Sequence, residues 1–118
     1  HTDHTQTHQH SSMNALLPVQ RPWREYTAAL RGHVLYLYSN KDRMDGPLGH
    51  RPTGGRFSVK SALVDIAYDY KKRKNVFRLQ TFNGAVCLIQ ATGKDDMLAW
   101  IKAVQVGMFV WLSEMSDR

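Results

Sequence analysis

Alternating apolar and polar residues predict β-strands over much of the chain. "WREYTAAL" (Trp23–Leu30) and "HVLYLYS" (His33–Ser39) are rich in aromatic and aliphatic residues and flank Arg31-Gly32. Two such runs around a short glycine-containing connection predict a β-hairpin. The next stretch, Asn40–Gly55, holds four glycines and two prolines and therefore predicts a loop.

The second half of the chain begins with further strand signals. Phe57–Tyr70 alternates in part, with an irregularity expected near Ser61. Its candidate buried face consists of Val59, Ala62, Val64 and Ile66. The runs Asn75–Thr81 and Ala85–Ala91 flank Phe82-Asn83-Gly84. Asn-Gly between two apolar runs is a strong hairpin signal, because both residues accept positive φ angles.

The spacing of the apolar residues then changes from the period of a strand to that of a helix. In "GKDDMLAWIKAVQ" (Gly93–Gln105) one helical face is apolar. This face carries Met97, Trp100, Ile101 and Val104. Asp95 and Asp96 fall in the first turn, where carboxylates suit the positive end of the helix dipole. The sequence thus predicts a mainly β domain with one C-terminal helix packed on a sheet or an open barrel.

The N-terminal segment contrasts with this pattern. Residues 1–12, "HTDHTQTHQHSS", are polar and hold four of the six histidines. A segment with so few apolar side chains cannot bury enough surface to fold, so residues 1–12 are expected to be a disordered tail. We place the domain at residues 13–105 and an apolar C-terminal extension at residues 106–118. His4, His8 and His10 suit only incidental metal binding, because a dedicated site needs enforced geometry. No metal and no cofactor are expected.

Composition and charge limit the kinds of function that the chain can have. The chain has 118 residues, enough for one domain, and a formal charge of +6, which favours acidic partners. Cys87 lies in an apolar run and suits a small core residue. No apolar stretch reaches the length of a membrane span, and no signal pattern is present, so a cytoplasmic protein is expected. No glycine-rich phosphate loop, metal spacing or nucleophile–base pair is evident, so no enzyme activity is expected.

These elements resemble a pleckstrin homology (PH) domain. The resemblance is carried by "RPWREYTAAL", "RGHVLYLYSNK", "DYKKRKNVFRL", "CLIQA" and "DDMLAWIKAVQ", and Trp100 matches the tryptophan of the family's helix. The subgroups it resembles are the PH domains of PDZ-containing Rho GTPase-activating proteins and of β-spectrin. The resemblance implies a seven-stranded, bent antiparallel sheet capped by one helix.

The resemblance also implies a function. It implies a peripheral membrane module that binds phosphoinositides, within a larger Rho GTPase-activating or cytoskeletal protein. The spectrin-like pattern implies a headgroup site between the β1–β2 connection and the basic run Lys71–Lys74. The lipid-binding residues implied for this site are Arg21, Trp23, Tyr70, Lys72 and Lys74. The family's alternative site uses a first-strand lysine and a second-strand arginine, and Arg24 is its candidate here. The alternative that the resemblance implies is a protein-interaction module for an Arf-family GTPase.

Two regions depart from the family pattern. The first strand normally carries a tryptophan and a lysine, but only "MNALLPVQ" (Met13–Gln20) is available. This stretch is either an altered first strand or evidence that the family's strand is absent. After Gly107 the chain runs Met108–Leu112, an apolar stretch with three interpretations. It extends or covers the domain, it contacts a partner or a membrane, or it is a chain end created by splicing or gene prediction.

The basic run Lys71–Lys74 also has more than one interpretation. It is an anionic-ligand site, a solvated loop or a protein contact. If the run were extended, Lys72 and Lys74 would share one side, and Lys71 and Arg73 the other. Nucleic-acid binding is not expected, because the aromatic residues occupy core-like strand positions rather than alternating with the cations.

Overall fold

The computed structural model describes residues 8–18, 22–39 and 52–116. Within them, seven strands form one antiparallel sheet, and one helix follows. The elements are β1 His8–Leu16, β2 Arg24–Arg31, β3 Val34–Ser39, β4 Gly55–Ser58, β5 Leu63–Ile66, β6 Val76–Gln80, β7 Val86–Gln90 and α1 Lys94–Ser116. The predicted fold class is confirmed.

The strand order is β4-β3-β2-β1-β7-β6-β5, so β4 and β5 form the two edges and the sheet does not close. β1 is the strand that joins the two halves. It pairs with β2 from His8 to Ala15 and with β7 from Asn14 to Leu16. The positions of both halves therefore depend on β1.

The core lies between the inner face of the sheet and α1. Its largest fully buried side chains include Phe77, Leu30, Leu35, Leu37, Leu79, Ile89 and Trp100. Trp100 is only 1% exposed, and its Nε1–H donates to the Ser11 hydroxyl at 2.7 Å. A buried indole needs such an acceptor, because an unsatisfied N–H in a core is costly. This bond ties the helix to β1.

The helix approaches the sheet most closely at Gly107. A Cβ atom at this position would lie 2.6 Å from the Gly32 carbonyl oxygen and 3.3 Å from Val59 Cγ2. Gly32 itself has φ +60° in the β2–β3 turn, a conformation that glycine adopts readily. The missing side chain at Gly107 lets α1 lie directly on this turn, while glycine at position 32 suits the positive φ of the turn.

The helix continues well beyond the expected boundary at Gln105. It runs unbroken to Ser116, so residues 106–116 belong to α1 and the interpretation that they extend the helix is confirmed. At Gly107 the second half of the helix lies close to the β2–β3 turn. Phe109 and Leu112 lie beyond it and are 66% and 47% exposed. No helix in the described part of the chain is long and apolar enough to cross a membrane.

The prediction of a disordered tail is wrong for residues 8–12, which form the start of β1. Their backbone pairs opposite Thr27–Arg31, and ladder hydrogen bonds do not require apolar side chains. Met13, Ala15 and Leu17 then alternate into the core. A first strand is therefore present, without the family's tryptophan and lysine. His4 lies outside the described residues.

Two loop predictions have different outcomes. The irregularity expected near Ser61 is confirmed, since Ser61 has φ +53° in the connection between β4 and β5. The predicted loop Asn40–Gly55 lies largely outside the described residues, and Gly55 begins β4.

Replacing Ser11 tests the contact between β1 and α1. We expect Ser11→Ala to lower the free energy of unfolding by about 1–3 kcal/mol, because it leaves the Trp100 N–H unsatisfied in the core. Urea unfolding measures the change. Ser12→Ala is the matched control at an exposed neighbour and should change stability by less than about 0.5 kcal/mol. Equal effects of the two variants would contradict this pairing of β1 with the helix.

Candidate anionic-ligand site

The basic loop, Lys71–Lys74, lies in the β5–β6 connection. It is not extended, so the alternation that would separate Lys72 and Lys74 from the other two cations does not apply. The loop is closed by backbone hydrogen bonds from Ala67 N–H to the Val76 carbonyl and from Ala91 N–H to the Asn75 carbonyl, at 3.0 and 2.9 Å. Asn75 has φ +58°, a left-handed conformation in which asparagine is common.

Trp23 and Tyr70 bring the β1–β2 connection against this loop. Trp23 Nε1–H donates to the Tyr70 hydroxyl at 3.1 Å, and the ring centroids are 5.8 Å apart at an interplanar angle of 55°. This geometry suits tilted aromatic pairs. Two residues predicted for one site, 47 positions apart in sequence, are therefore in direct contact.

Arg73 holds the loop against Trp23. Its guanidinium lies 4.5 Å from the centroid of the Trp23 ring, a distance typical of a cation–π contact. The same group donates from Nη1 to Gln90 Oε1 at 2.8 Å. Arg73 is half-buried and engaged on two sides, so it positions the loop rather than presenting its charge to solvent.

Gln90, the last residue of β7, connects the loop to the sheet. Its Oε1 accepts from Arg73 and, at 3.5 Å, from Asn14 Nδ2 of β1. Its Nε2–H donates to the Lys74 carbonyl at 3.0 Å. One side chain thus fixes both the arginine and the backbone of the basic loop, which gives the loop a defined shape before any ligand arrives.

The remaining three cations of the loop project outward. Lys71, Lys72 and Lys74 are exposed. Asp69 lies nearby and receives two hydrogen bonds from Arg78 Nη2, at 2.9 and 3.1 Å. The hydrogen bond from Arg78 holds the pKa of this carboxyl below its usual value, so Asp69 is charged at neutral pH. Because Arg78 pairs with Asp69, that negative charge is balanced locally.

The other predicted ligands are not all in this group. Arg21 lies outside the described residues. Arg24 is exposed at the start of β2, on the side of the strand that carries Tyr26. Burial raises the pKa of Tyr26, and the charge of Arg24 opposes that rise. Direct contacts thus join Trp23 to Tyr70 and to Arg73 of the basic loop.

Sequence reasoning missed the residues that give the loop its shape. Asn14 and Gln90 are 76 positions apart, and only the pairing of β1 with β7 brings them together. Gln90 ends an apolar run, and that polar residue in "CLIQA" was the one local signal of a tertiary role.

The described residues include no cluster of histidine, cysteine or acidic side chains that could hold a metal ion. Cys87 is fully buried, and burial raises the pKa of its thiol to about 12. Such a thiol is protonated at neutral pH, which suits a core residue.

Substitution of Arg73 tests its positioning role. Arg73→Lys keeps the charge but loses the planar stack on Trp23 and the geometry of the bond to Gln90. We expect the free energy of unfolding to fall by about 1 kcal/mol and the Trp23 indole N–H resonance to shift in the ¹⁵N–¹H spectrum. Lys72→Ala, at an exposed neighbouring position, should change neither the free energy of unfolding nor the Trp23 resonance. An unchanged Trp23 resonance in Arg73→Lys would show that the stack does not define the loop.

Known proteins show which family this fold belongs to. Residues 5–107 match the family model described as "Pleckstrin homology domain". The chain is 45% identical over 85 residues to Rho GTPase-activating protein 21 of Mus musculus, a match covering 72% of this chain and 4% of that protein. The chain thus corresponds to a small part of its curated relative.

Solved structures show the same fold. The pleckstrin homology domain of ArhGAP27 aligns with a TM-score of 0.68 at 19% identity, over 85% of this chain and 98% of that one. The C-terminal PH domain of pleckstrin in complex with D-myo-Ins(1,2,3,4,5)P5 aligns with a TM-score of 0.65 at 20% identity, over 84% and 95%. The extent of the family match, together with the fold and the buried helix tryptophan, identifies the chain as a member of the pleckstrin homology domain family, a non-catalytic module.

Proposed function

We propose that the domain binds phosphoinositide headgroups between the β1–β2 connection and the basic loop. The observation that carries the proposal is the contact of Trp23 with Tyr70 and Arg73, beside three exposed lysines. This contact holds two connections together and leaves Lys71, Lys72 and Lys74 to meet a ligand. A preorganised cluster of cations is what a densely charged headgroup requires.

Each residue of the proposed site has a distinct role. Lys72 and Lys74 supply compact positive charges to the phosphate groups. The Tyr70 hydroxyl accepts the Trp23 N–H, so its own hydrogen can be donated to a phosphate oxygen. Arg21 and Arg24 are the further cations that we propose for headgroup binding. Arg73 keeps the loop in place.

The comparisons support the ligand class and the setting. A pleckstrin PH domain of the same fold was crystallised with an inositol pentakisphosphate, which makes a phosphorylated inositol a reasonable ligand class here. The similarity to Rho GTPase-activating protein 21 supports a place within a larger GTPase-activating protein. The net charge of +6 adds attraction to anionic membranes, at about 1 kcal/mol per cation near the surface, so we propose a cytoplasmic, peripheral membrane location.

Charge reversal in the basic loop tests the proposal. We expect Lys72→Glu with Lys74→Glu to weaken binding to phosphatidylcholine vesicles containing phosphatidylinositol 4,5-bisphosphate by at least about tenfold, because two ligand cations become anions. Vesicle sedimentation measures this. Lys94→Glu with Lys102→Glu makes the same change in net charge on exposed positions of α1 and should reduce binding much less. An equal loss of vesicle binding in both double variants would contradict the proposed site, because general electrostatic attraction would then account for the binding.

A second candidate function is docking of an Arf-family GTPase on the C-terminal half of α1. One observation favours it: Val106, Phe109 and Leu112 are large apolar residues that are 39%, 66% and 47% exposed on this part of the helix. Solvent-exposed apolar clusters of this kind are typical of protein contacts.

Phe109→Asp tests this second function. If the helix is the docking surface, the variant should abolish capture by an Arf GTPase loaded with a non-hydrolysable GTP analogue in a pulldown. Leu98→Asp, a similar change at a 42% exposed position near the helix start, is the control and should keep capture. Absence of nucleotide-dependent capture by the unmodified chain would exclude this function.

A further inference from the structure

A cleft of about 620 Å³ lies apart from the basic loop. One wall is β4 and the connection that follows it, and the other is the β6–β7 turn. Its lining includes Arg56, Phe57, Ser58, Lys60, Phe82 and Ala85. A cavity of this size is within the range of ligand-binding clefts.

The cleft follows the free edge of β4. Arg56, Phe57 and Ser58 are consecutive, and consecutive side chains of a strand point to opposite faces. A cleft lined by all three therefore lies along the strand edge rather than over one face. Within the described sheet, β4 is the terminal strand and its other side pairs with β3.

The register shows which backbone groups face the cleft. Val59 N–H donates to the His33 carbonyl at 2.8 Å, and Ser58 pairs with Val34. Hydrogen-bonded and non-hydrogen-bonded pairs alternate along antiparallel strands. The N–H and C=O groups of Arg56 and Ser58 therefore point away from β3, toward the open edge.

The chemistry of the cleft favours an acidic and partly apolar occupant. Phe57, Phe82 and Ala85 provide apolar surface, and Phe82 is 84% exposed at the turn. Arg56 and Lys60 provide positive charge, and none of the described residues that line the cleft carries a carboxylate. An exposed aromatic residue beside cations is complementary to a segment that alternates acidic and apolar side chains.

The position of the cleft favours a peptide over a bilayer. The basic loop precedes β6 and the β6–β7 turn follows it, so the two sites lie at opposite ends of a five-residue strand, roughly 15 Å apart. If the basic loop contacts a membrane, as the proposed function holds, the β6–β7 turn that lines the cleft lies at the far end of β6 from that contact. A protein segment can then reach the cleft while the domain is membrane-bound.

We propose that β4 receives an extended acidic peptide as an added strand. The peptide backbone pairs with the outward N–H and C=O groups of Arg56 and Ser58. Its acidic side chains meet Arg56 and Lys60, and its apolar side chains contact Phe57 and Phe82. Backbone pairing supplies affinity in this mode, and the side-chain contacts supply specificity.

Fluorescence anisotropy with two labelled probes tests the site. The acidic probe is acetyl-Glu-Val-Glu-Phe-Glu-Val-Glu-amide, and the second probe has lysine in place of each glutamate. We expect the chain to bind the acidic probe at least about tenfold more tightly than the basic probe. Equal affinity for the two probes, or no binding of the acidic one, would overturn the proposal.

Two substitutions at Ser58 test the backbone pairing. Ser58→Pro removes one outward N–H without removing a bond to β3, so it should weaken binding of the acidic probe about tenfold or more. Ser58→Ala loses only the hydroxyl and should bind almost as the unmodified chain does. Thermal unfolding checks that both variants are folded. Arg56→Glu, compared with Lys102→Glu, gives an independent test of the charge contact should the proline variant not fold.

Vesicle binding separates this proposal from the proposed function. Arg56→Glu should no longer bind the acidic probe but should still bind phosphoinositide vesicles. Lys72→Glu with Lys74→Glu should still bind the acidic probe but should bind the vesicles weakly. If Arg56→Glu weakened vesicle binding as strongly as the lysine variant does, the occupant would be lipid and the peptide proposal would fail. If the unmodified chain bound the acidic probe but did not bind phosphoinositide vesicles, the peptide proposal would be supported and the proposed lipid-binding function would be contradicted.

Discussion

The burial of Trp100 against β1 is the contact on which the rest of the structure depends. β1 is the one strand in the described sheet that pairs with both halves, through β2 on one side and β7 on the other. The bond from Trp100 to Ser11 joins this strand to the helix that covers the core. An atypical first strand can fill this position because the ladder needs backbone groups, while the helix needs one hydroxyl and a few apolar side chains.

The candidate site follows from the same strand pairing. Where β1 meets β7, Asn14 lies opposite Gln90, and Gln90 contacts both Arg73 and the Lys74 carbonyl. Arg73 in turn covers Trp23, so the two connections adopt one arrangement. In the proposed site, positioning and ligand contact would be divided between neighbours, since Arg73 is held inside the loop while the adjacent lysines are exposed. The family's first-strand lysine is not needed for this arrangement.

The sequence predicted the strands, the late helix and the resemblance to pleckstrin homology domains, because periodicity and turn residues act locally. It also placed Trp23 and Tyr70 in one site through that resemblance. It failed for His8–Ser12, whose polar side chains conceal a strand that is stabilised by its neighbours. It could not assign Arg73, because a four-residue run of cations does not indicate which one turns inward. That choice depends on Trp23 and Gln90, which are distant in sequence.

The most direct test of the account is a titration of the ¹⁵N-labelled chain with a soluble inositol polyphosphate, followed in the ¹⁵N–¹H spectrum. We expect the Trp23 indole resonance and the backbone amides of Lys71–Lys74 to shift together and to saturate. The amides of Phe82 and Asn83, at the other end of β6, should stay unchanged. Saturable shifts centred on the β6–β7 turn, with Trp23 and the basic loop unaffected, would contradict it.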